Sequence, residues 1–271
     1  MSPISPISRR SPVRPSRFLA AAVGLAALCY AGRLAIGPAR GLQAEYFAGE
    51  HPGGAPALSG VDRDVTTDSV MRRWYGAMPD TFSAQWFGYL AAPSAGRYTF
   101  ALTSDDAARL SVDGRLLIDN GGRHAASSRT AETDLTRGPH AILIEFTQYG
   151  GDFAIGWAWG RDARSLAPVP SWATSPYKAA LSRVVVAHML DLVAIASLAV
   201  AMALAGWIVW RDREWFARHP RWATLGLFVV LALAHTWPLA SDPAHLARHD
   251  NRDTMLNEWI VAWVAHQMPR P

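Results

Sequence analysis

Cysteine is almost missing from this chain. Its 271 residues include only Cys29, so no internal disulfide can form and any folded region must rest on its own core. Cys29 sits between Leu28 and Tyr30 inside an apolar run. Lipoprotein processing wants small residues there, so its neighbours favour plain membrane packing. No Lys/Arg run interleaved with aromatics appears between residues 41 and 172, and the net charge is a modest +4. The excess arginine sits at the N-terminus and beside the apolar segments, which reads as a topology signal and leaves little case for a nucleic-acid partner. There is no glycine-rich nucleotide loop, no GxSxG elbow, no HExxH pair and no cysteine pair. Catalysis is therefore not expected of the chain as it stands.

Charge is nearly absent from three stretches, 18–36, 184–210 and 222–240. The first is about 20 residues long, enough for roughly 30 Å of helix. It follows a Pro/Ser-rich, arginine-bearing tail (1–17) expected to be disordered and cytoplasmic. Arg33, near the end of the run, is expected to reach the interface. An uncleaved anchor over 18–37 and a cleavable signal peptide ending near Gly37-Pro38-Ala39 are both open readings. The segment 184–210 is the strongest spanning signal, with His188 and Asp191 in its first turns and Trp207 and Trp210 at its far end. Asp191 is placed at the outer interface, because a charge at the bilayer centre is costly. Arg211, Arg213, Arg218 and Arg221 fill the loop 211–221 before a third expected span, 222–240. Positive charge belongs on the cytoplasmic side, so the segment after the first helix faces outward. The expected location is a bacterial inner membrane, multi-pass, with the lipid bilayer as one partner and the central region facing the periplasm or exterior.

Between 41 and 172 no run has a helical apolar period. Short alternating stretches recur instead, among them FSAQWFGYLAA, RYTFALTS and HAILIEFTQ, separated by Gly, Pro, Asp and Asn. That pattern reads as an all-β sandwich or barrel. Tyr98, Phe100 and Leu102 share one strand face, and Ile142, Ile144 and Phe146 share another. Trp74, Trp86, Trp157 and Trp159 alternate with core positions, so burial is preferred to sugar stacking for most of them. Asp113-Gly114 and Asn120-Gly121 read as turn dipeptides.

The series Gly41-Leu42…Glu45-Tyr46-Phe47, Phe82-Ser83-Ala84-Gln85-Trp86-Phe87-Gly88-Tyr89-Leu90 and Gly96-Arg97-Tyr98-Thr99-Phe100 resembles the PA-14 domain. It continues through Ser104-Asp105-Asp106-Ala107, Val112-Asp113-Gly114, Leu117-Ile118-Asp119-Asn120 and Gly156-Trp157. The resemblance covers about half the chain, in order and spacing. It implies a jelly-roll-like sandwich (the fold class expected here, together with transmembrane helices) that often binds carbohydrate. In sugar-binding members an adjacent aspartate pair chelates Ca²⁺, which in turn holds sugar hydroxyls. Asp105 and Asp106 match that pair, and the loop Tyr149-Gly150-Gly151-Asp152 would complete the site. A glycan or envelope polysaccharide is the partner so implied. Two neighbouring carboxylates suit a hard cation that takes six to eight oxygens. The same pair is also a good turn, its carboxylates accepting backbone amides. Ala107 stands where the family often has Gly, and Gly121 where it often has Trp.

The region 241–271 carries His249, Asp250, Asp253 and Glu258, then an apolar stretch of about 13 residues, too short to span and suited to lying in the interface. An outer loop with acidic residues after a spanning helix resembles the first loop of GT-C membrane glycosyltransferases. Asp250 or Asp253 would match the carboxylate that assists metal or acceptor there. Such enzymes need many more helices, so a truncated product of a larger enzyme is one expectation. A membrane-anchored binding module is the leading one, and a structural or protein-contact module a third.

Overall fold

The computed structural model describes residues 15–74 and 78–221, with 224–226, 228 and 231–232 beyond them. These fall into two compact units. One covers residues 37–185, and the other brings together the helices on either side of it in sequence.

The 37–185 unit is a two-sheet antiparallel sandwich. Its strands are β1 (Leu42–Ala48), β2 (Leu58–Asp62), β3 (Phe82–Ala92), β4 (Gly96–Asp105), β5 (Ala107–Val112), β6 (Arg115–Asn120), β7 (Ser127–Leu135), β8 (Gly138–Gln148), β9 (Ala154–Gly160), β10 (Ala167–Pro168) and β11 (Thr174–Ser175). One sheet runs β2-β1-β3-β8-β5-β6, with β11 added to β3, and the other runs β10-β9-β4-β7. β8 shows why these segments are strands. Residues 138, 140, 142, 144, 146 and 148 are buried while their neighbours are half-covered, the period of two that pleating imposes. Ile142, Ile144 and Phe146 pack on that buried face, and Tyr98, Phe100 and Leu102 are buried on β4. Trp74, Trp86 and Trp157 are buried as well, and Trp159 is half-buried. The core carries a chain of edge-to-face rings, Tyr46–Trp86 at 5.7 Å, Phe82–Phe146 at 5.7 Å and Phe82–Phe153 at 5.5 Å.

A helix interrupts the strands where none was expected, α2 (Thr67–Trp74). At eight residues it is too short to show an apolar period. Val70 and Trp74, four apart, are its buried stripe. Its start is marked by a reciprocal cap: Ser69 N donates to Thr66 Oγ1 at 3.2 Å, and Thr66 N donates to Ser69 Oγ at 3.0 Å. α2 also delivers Arg73 to a carboxylate at the end of β2. Asp62 is buried, and its Oδ2 accepts Tyr46 Oη at 2.6 Å and Trp86 Nε1 at 2.9 Å. Its Oδ1 accepts Arg73 Nε at 3.2 Å and also pairs with Arg73 Nη2. Burial first, then the Asp62 charge, push the Tyr46 phenol far above its ordinary range, so it stays a donor.

Gly41, which opens the family-like motif, has a structural reason. Its φ is +104°, and a Cβ there would lie 2.1 Å from the Asp62 carbonyl oxygen. Gly41→Ala is expected to destabilise the sandwich by roughly 2–4 kcal/mol, a left-handed penalty plus overpacking against backbone. Urea unfolding of a 37–185 fragment measures this. An unchanged midpoint would contradict the close approach.

The helical unit contains α1 (Pro15–Ile36), most of α3 (Leu181–Arg211) and α4 (Arg213–Arg218). α1 and α3 are each long and apolar enough to cross a membrane. Sequence reading sent Arg33 and Asp191 separately to the interface. The structure pairs them, Arg33 Nε lying 3.8 Å from Asp191 Oδ1 with both side chains largely covered. Beside them a Cβ on Gly32 would touch Leu190 Cδ1 at 3.5 Å, so the helices approach closely at this level. Apart from the few positions named above, the expected third span at 222–240 lies outside the described residues. So does the whole of 241–271, with Asp250 and Asp253.

Candidate glycan-binding rim of the sandwich

Asp105 ends β4 and Ala107 begins β5, so the Asp105-Asp106 step is where the chain passes from one sheet to the other. The β6–β7 and β8–β9 connections make the same crossing. Asp106 ties all three together. Its Oδ1 accepts the backbone amide of His124 at 3.0 Å, from the β6–β7 loop, and its Oδ2 accepts that of Tyr149 at 3.0 Å, just past β8. The Asp106 residue is buried, while Asp105 beside it is half-exposed. The Asp105–Asp106 peptide bond is cis.

Other residues brace the same rim. Asn120, read from sequence as part of a turn, is buried at the end of β6. Its Nδ2 donates to Ser104 Oγ at 2.8 Å and to the Ser127 carbonyl at 3.2 Å, and its Oδ1 accepts from Arg129 Nε at 2.9 Å. It thus joins β4, β6 and β7. The only sequence signal for this role was the position of an amide side chain at a strand end, which turns share.

His124 was also missed, because a lone histidine in a loop carries no motif. Its Nδ1–H donates to the Ala125 carbonyl at 2.9 Å and its Nε2–H to the Asn120 carbonyl at 3.1 Å, which the doubly protonated ring satisfies. The Ala125 carbonyl first, then that of Asn120, hold the ring above its ordinary 6.5, outweighing desolvation, with Asp106 and Asp105 adding to the effect. A raised histidine stabilises the loop fully below about pH 6.5, and that contribution fades as pH rises through the raised value.

The outer lip is made by Arg123, whose guanidinium lies 4.8 Å from the Tyr149 ring centre and 3.3 Å from Glu50 Oε1. In the β8–β9 loop, Gly150 and Gly151 take φ of +121° and +84°, a path that suits glycine. Gln148 holds that loop, its Nε2 donating to the carbonyls of Gly151 at 3.3 Å and Asp152 at 3.0 Å. Asp152 itself is exposed. Among the described residues no three histidine, cysteine, aspartate or glutamate side chains converge on one point, so Asp152 does not join the aspartate pair as a third side-chain ligand. The donor set at the pair is hard oxygen alone. Each Asp106 oxygen accepts one amide and keeps a second lone pair, and carboxylate oxygen is the donor type that a calcium ion takes.

Comparison with known proteins bears on this sandwich. The family model described as PA14 domain matches residues 38–169. The anti-sigma-I factor RsgI3 of Acetivibrio thermocellus is 30% identical over 93 residues, which is 34% of this chain and 14% of that protein. The chain therefore spans about one-seventh of that relative. Among solved structures, the PA14 domain of an antifreeze protein, MpAFP, superposes with a TM-score of 0.46 at 16% identity, covering 51% of this chain and 92% of that one. A PA14 sugar-binding domain from an RTX adhesin gives 0.43 at 19% identity, covering 51% and 98%. An anti-sigma factor domain-containing protein from Clostridium clariflavum gives 0.44 at 22%, covering 52% and 49%. With the family match lying on the two-sheet sandwich, residues 38–169 of this chain are a PA14 domain.

Proposed function

We propose that the chain is a membrane-anchored envelope protein whose PA14 domain binds carbohydrate at the Asp105–Asp106 rim, with calcium as the bridging ion. The observation that carries this reading is the division of labour within the pair. Asp106 is buried and pins the β6–β7 and β8–β9 loops through His124 and Tyr149, while the adjacent Asp105 is half-exposed. Asp106 thus shapes the site and Asp105 is the carboxylate most free to meet an ion. Calcium would supply a hard Lewis acid that takes vicinal sugar hydroxyls as ligands. The half-exposed Tyr149, capped by Arg123, offers a ring face at the lip. The two apolar helices would hold the domain at a bilayer, facing outward as the arginine distribution implies.

The test is calcium titration of a soluble 37–185 fragment by calorimetry, combined with a glycan panel. That segment is a compact unit with its own continuous core, so it is expected to fold alone. Asp105→Asn should keep the native unfolding midpoint and weaken calcium binding by at least about tenfold, the loss typical of removing even an outer partner of a metal. Calcium-dependent glycan binding should fall with it. Absence of a calcium isotherm and of glycan binding in the wild type would reduce the pair to a turn and leave the sandwich a scaffold or protein-contact module.

A further inference from the structure

The end of α3 and the short α4 line an open, solvent-facing cavity of about 880 Å³ that the glycan reading does not use. Its lining includes Trp210, Arg211, Asp212, Arg213, Glu214, Trp215 and Arg218. The three arginines are not equivalent. Arg211 is spent on its neighbour, with Nε and Nη2 at 2.9 and 2.8 Å from the two Asp212 oxygens, and its guanidinium lies 5.1 Å from the Trp207 ring. Arg218 donates only Nε, to the Glu214 carbonyl at 3.2 Å, which leaves its Nη groups for a ligand. Arg213 makes no hydrogen bond or ion pair among the described residues.

Two available guanidinium groups thus face a cavity walled by indoles, at the end of a 31-residue apolar helix. Trp207, Trp210 and Trp215 are all exposed. Indoles at a helix end sit at headgroup depth in a bilayer, where they meet both hydrocarbon and water. Guanidinium is the side chain best matched to a phosphate, through paired N–H donors. Set against Asp212 and Glu214, the three arginines leave one net positive charge at the lining, which an anionic headgroup would balance and a zwitterionic one would not.

We propose that this cavity binds the phosphate of an anionic phospholipid headgroup, with Arg213 and Arg218 as donors and Trp210 and Trp215 as its walls. The site fixes the depth at which α3 ends in the bilayer. The proposal rests on the reading of α3 as a membrane span. The same phosphate chemistry is offered by a soluble anion, so the experiment separates the two sources.

The full chain, purified in detergent, is equilibrated with mixed micelles of phosphatidylcholine and phosphatidylglycerol, and retained lipid is counted by native mass spectrometry. Wild type should retain phosphatidylglycerol preferentially. Arg213→Gln and Arg218→Gln should each cut that preference about fivefold, the worth of one arginine near an anionic surface. Arg213→Lys should keep most of it. Added inorganic phosphate should not displace the lipid. Equal retention of both lipids, or a double Gln variant like wild type with an unchanged melting temperature, would overturn the site. Displacement by inorganic phosphate would overturn the lipid assignment. Release of the chain from membranes by alkaline carbonate is a separate outcome, which would overturn the spanning reading on which the site rests.

Discussion

Asp62→Ala should lower the unfolding free energy of the sandwich by about 3–5 kcal/mol, the cost of removing one partner from a buried ion pair. Asp62 is the shared acceptor for Tyr46 Oη, Trp86 Nε1 and the Arg73 guanidinium, all drawn from different elements. Removing it leaves two neutral donors and a partly covered cation without that acceptor, which is why the loss exceeds that of a single hydrogen bond. Asp62→Asn should cost less, since its amide oxygen still accepts from one or two of them. Urea unfolding of the 37–185 fragment measures both. A loss under about 1 kcal/mol for Asp62→Ala, of the order of one ordinary hydrogen bond, would show that water replaces the carboxylate. The same network predicts alkaline sensitivity. Because the folded Tyr46 phenol is held far above 10.0, the unfolded chain loses its proton first as pH rises past that value. Stability then falls by about 1.4 kcal/mol per pH unit from this one group, a slope that Tyr46→Phe should remove.

The second large effect concerns the helices. Asp191→Leu or Arg33→Leu alone should sharply reduce the amount of intact chain in membranes. Each leaves the other charge in an apolar segment without the counter-ion 3.8 Å away. A charged residue at the centre of a spanning helix costs about 2.5–3.5 kcal/mol on insertion scales, which is the upper bound for a pair near the interface. The double Leu variant, or the exchange Arg33→Asp with Asp191→Arg, should recover much of the loss. Quantitative immunoblotting of the membrane fraction with an N-terminal tag reads the outcome and also reports whether α1 stays attached. Strictly additive effects of the two single changes would show that the pair does not act as a unit.

Much of the architecture was legible because local chemistry and tertiary structure agree. The alternation along β4 and β8, the aromatic and β-branched content and the Asp113-Gly114 turn all specify pleated, half-buried ribbons without reference to distant contacts. The PA14 resemblance read from Gly41 to Trp157 likewise stands, because the residues that carry it are core positions and tight turns. The helix α2 was not legible. Eight residues carry too little periodicity, and its start is a reciprocal Thr66–Ser69 bond rather than the usual pairing with a glutamate or glutamine.

The site divides in the same way. Adjacent aspartates in a loop announce themselves in a sequence as a hard-oxygen pair, whatever they bind. Which one is buried, and that its two oxygens hold His124 and Tyr149 from separate crossovers, depends on strands far apart in the chain meeting at one rim. Asn120 looked like a turn residue because its partners at Ser104, Ser127 and Arg129 come together only when both sheets have formed. The sequence by itself determined the apolar helices, the strand periodicity and the family, because these follow from side-chain pattern along the chain. Tertiary structure decided the partners of Asp62, Asp106 and Asp191, because a buried carboxylate's counterparts are set by which distant segments the fold packs around it.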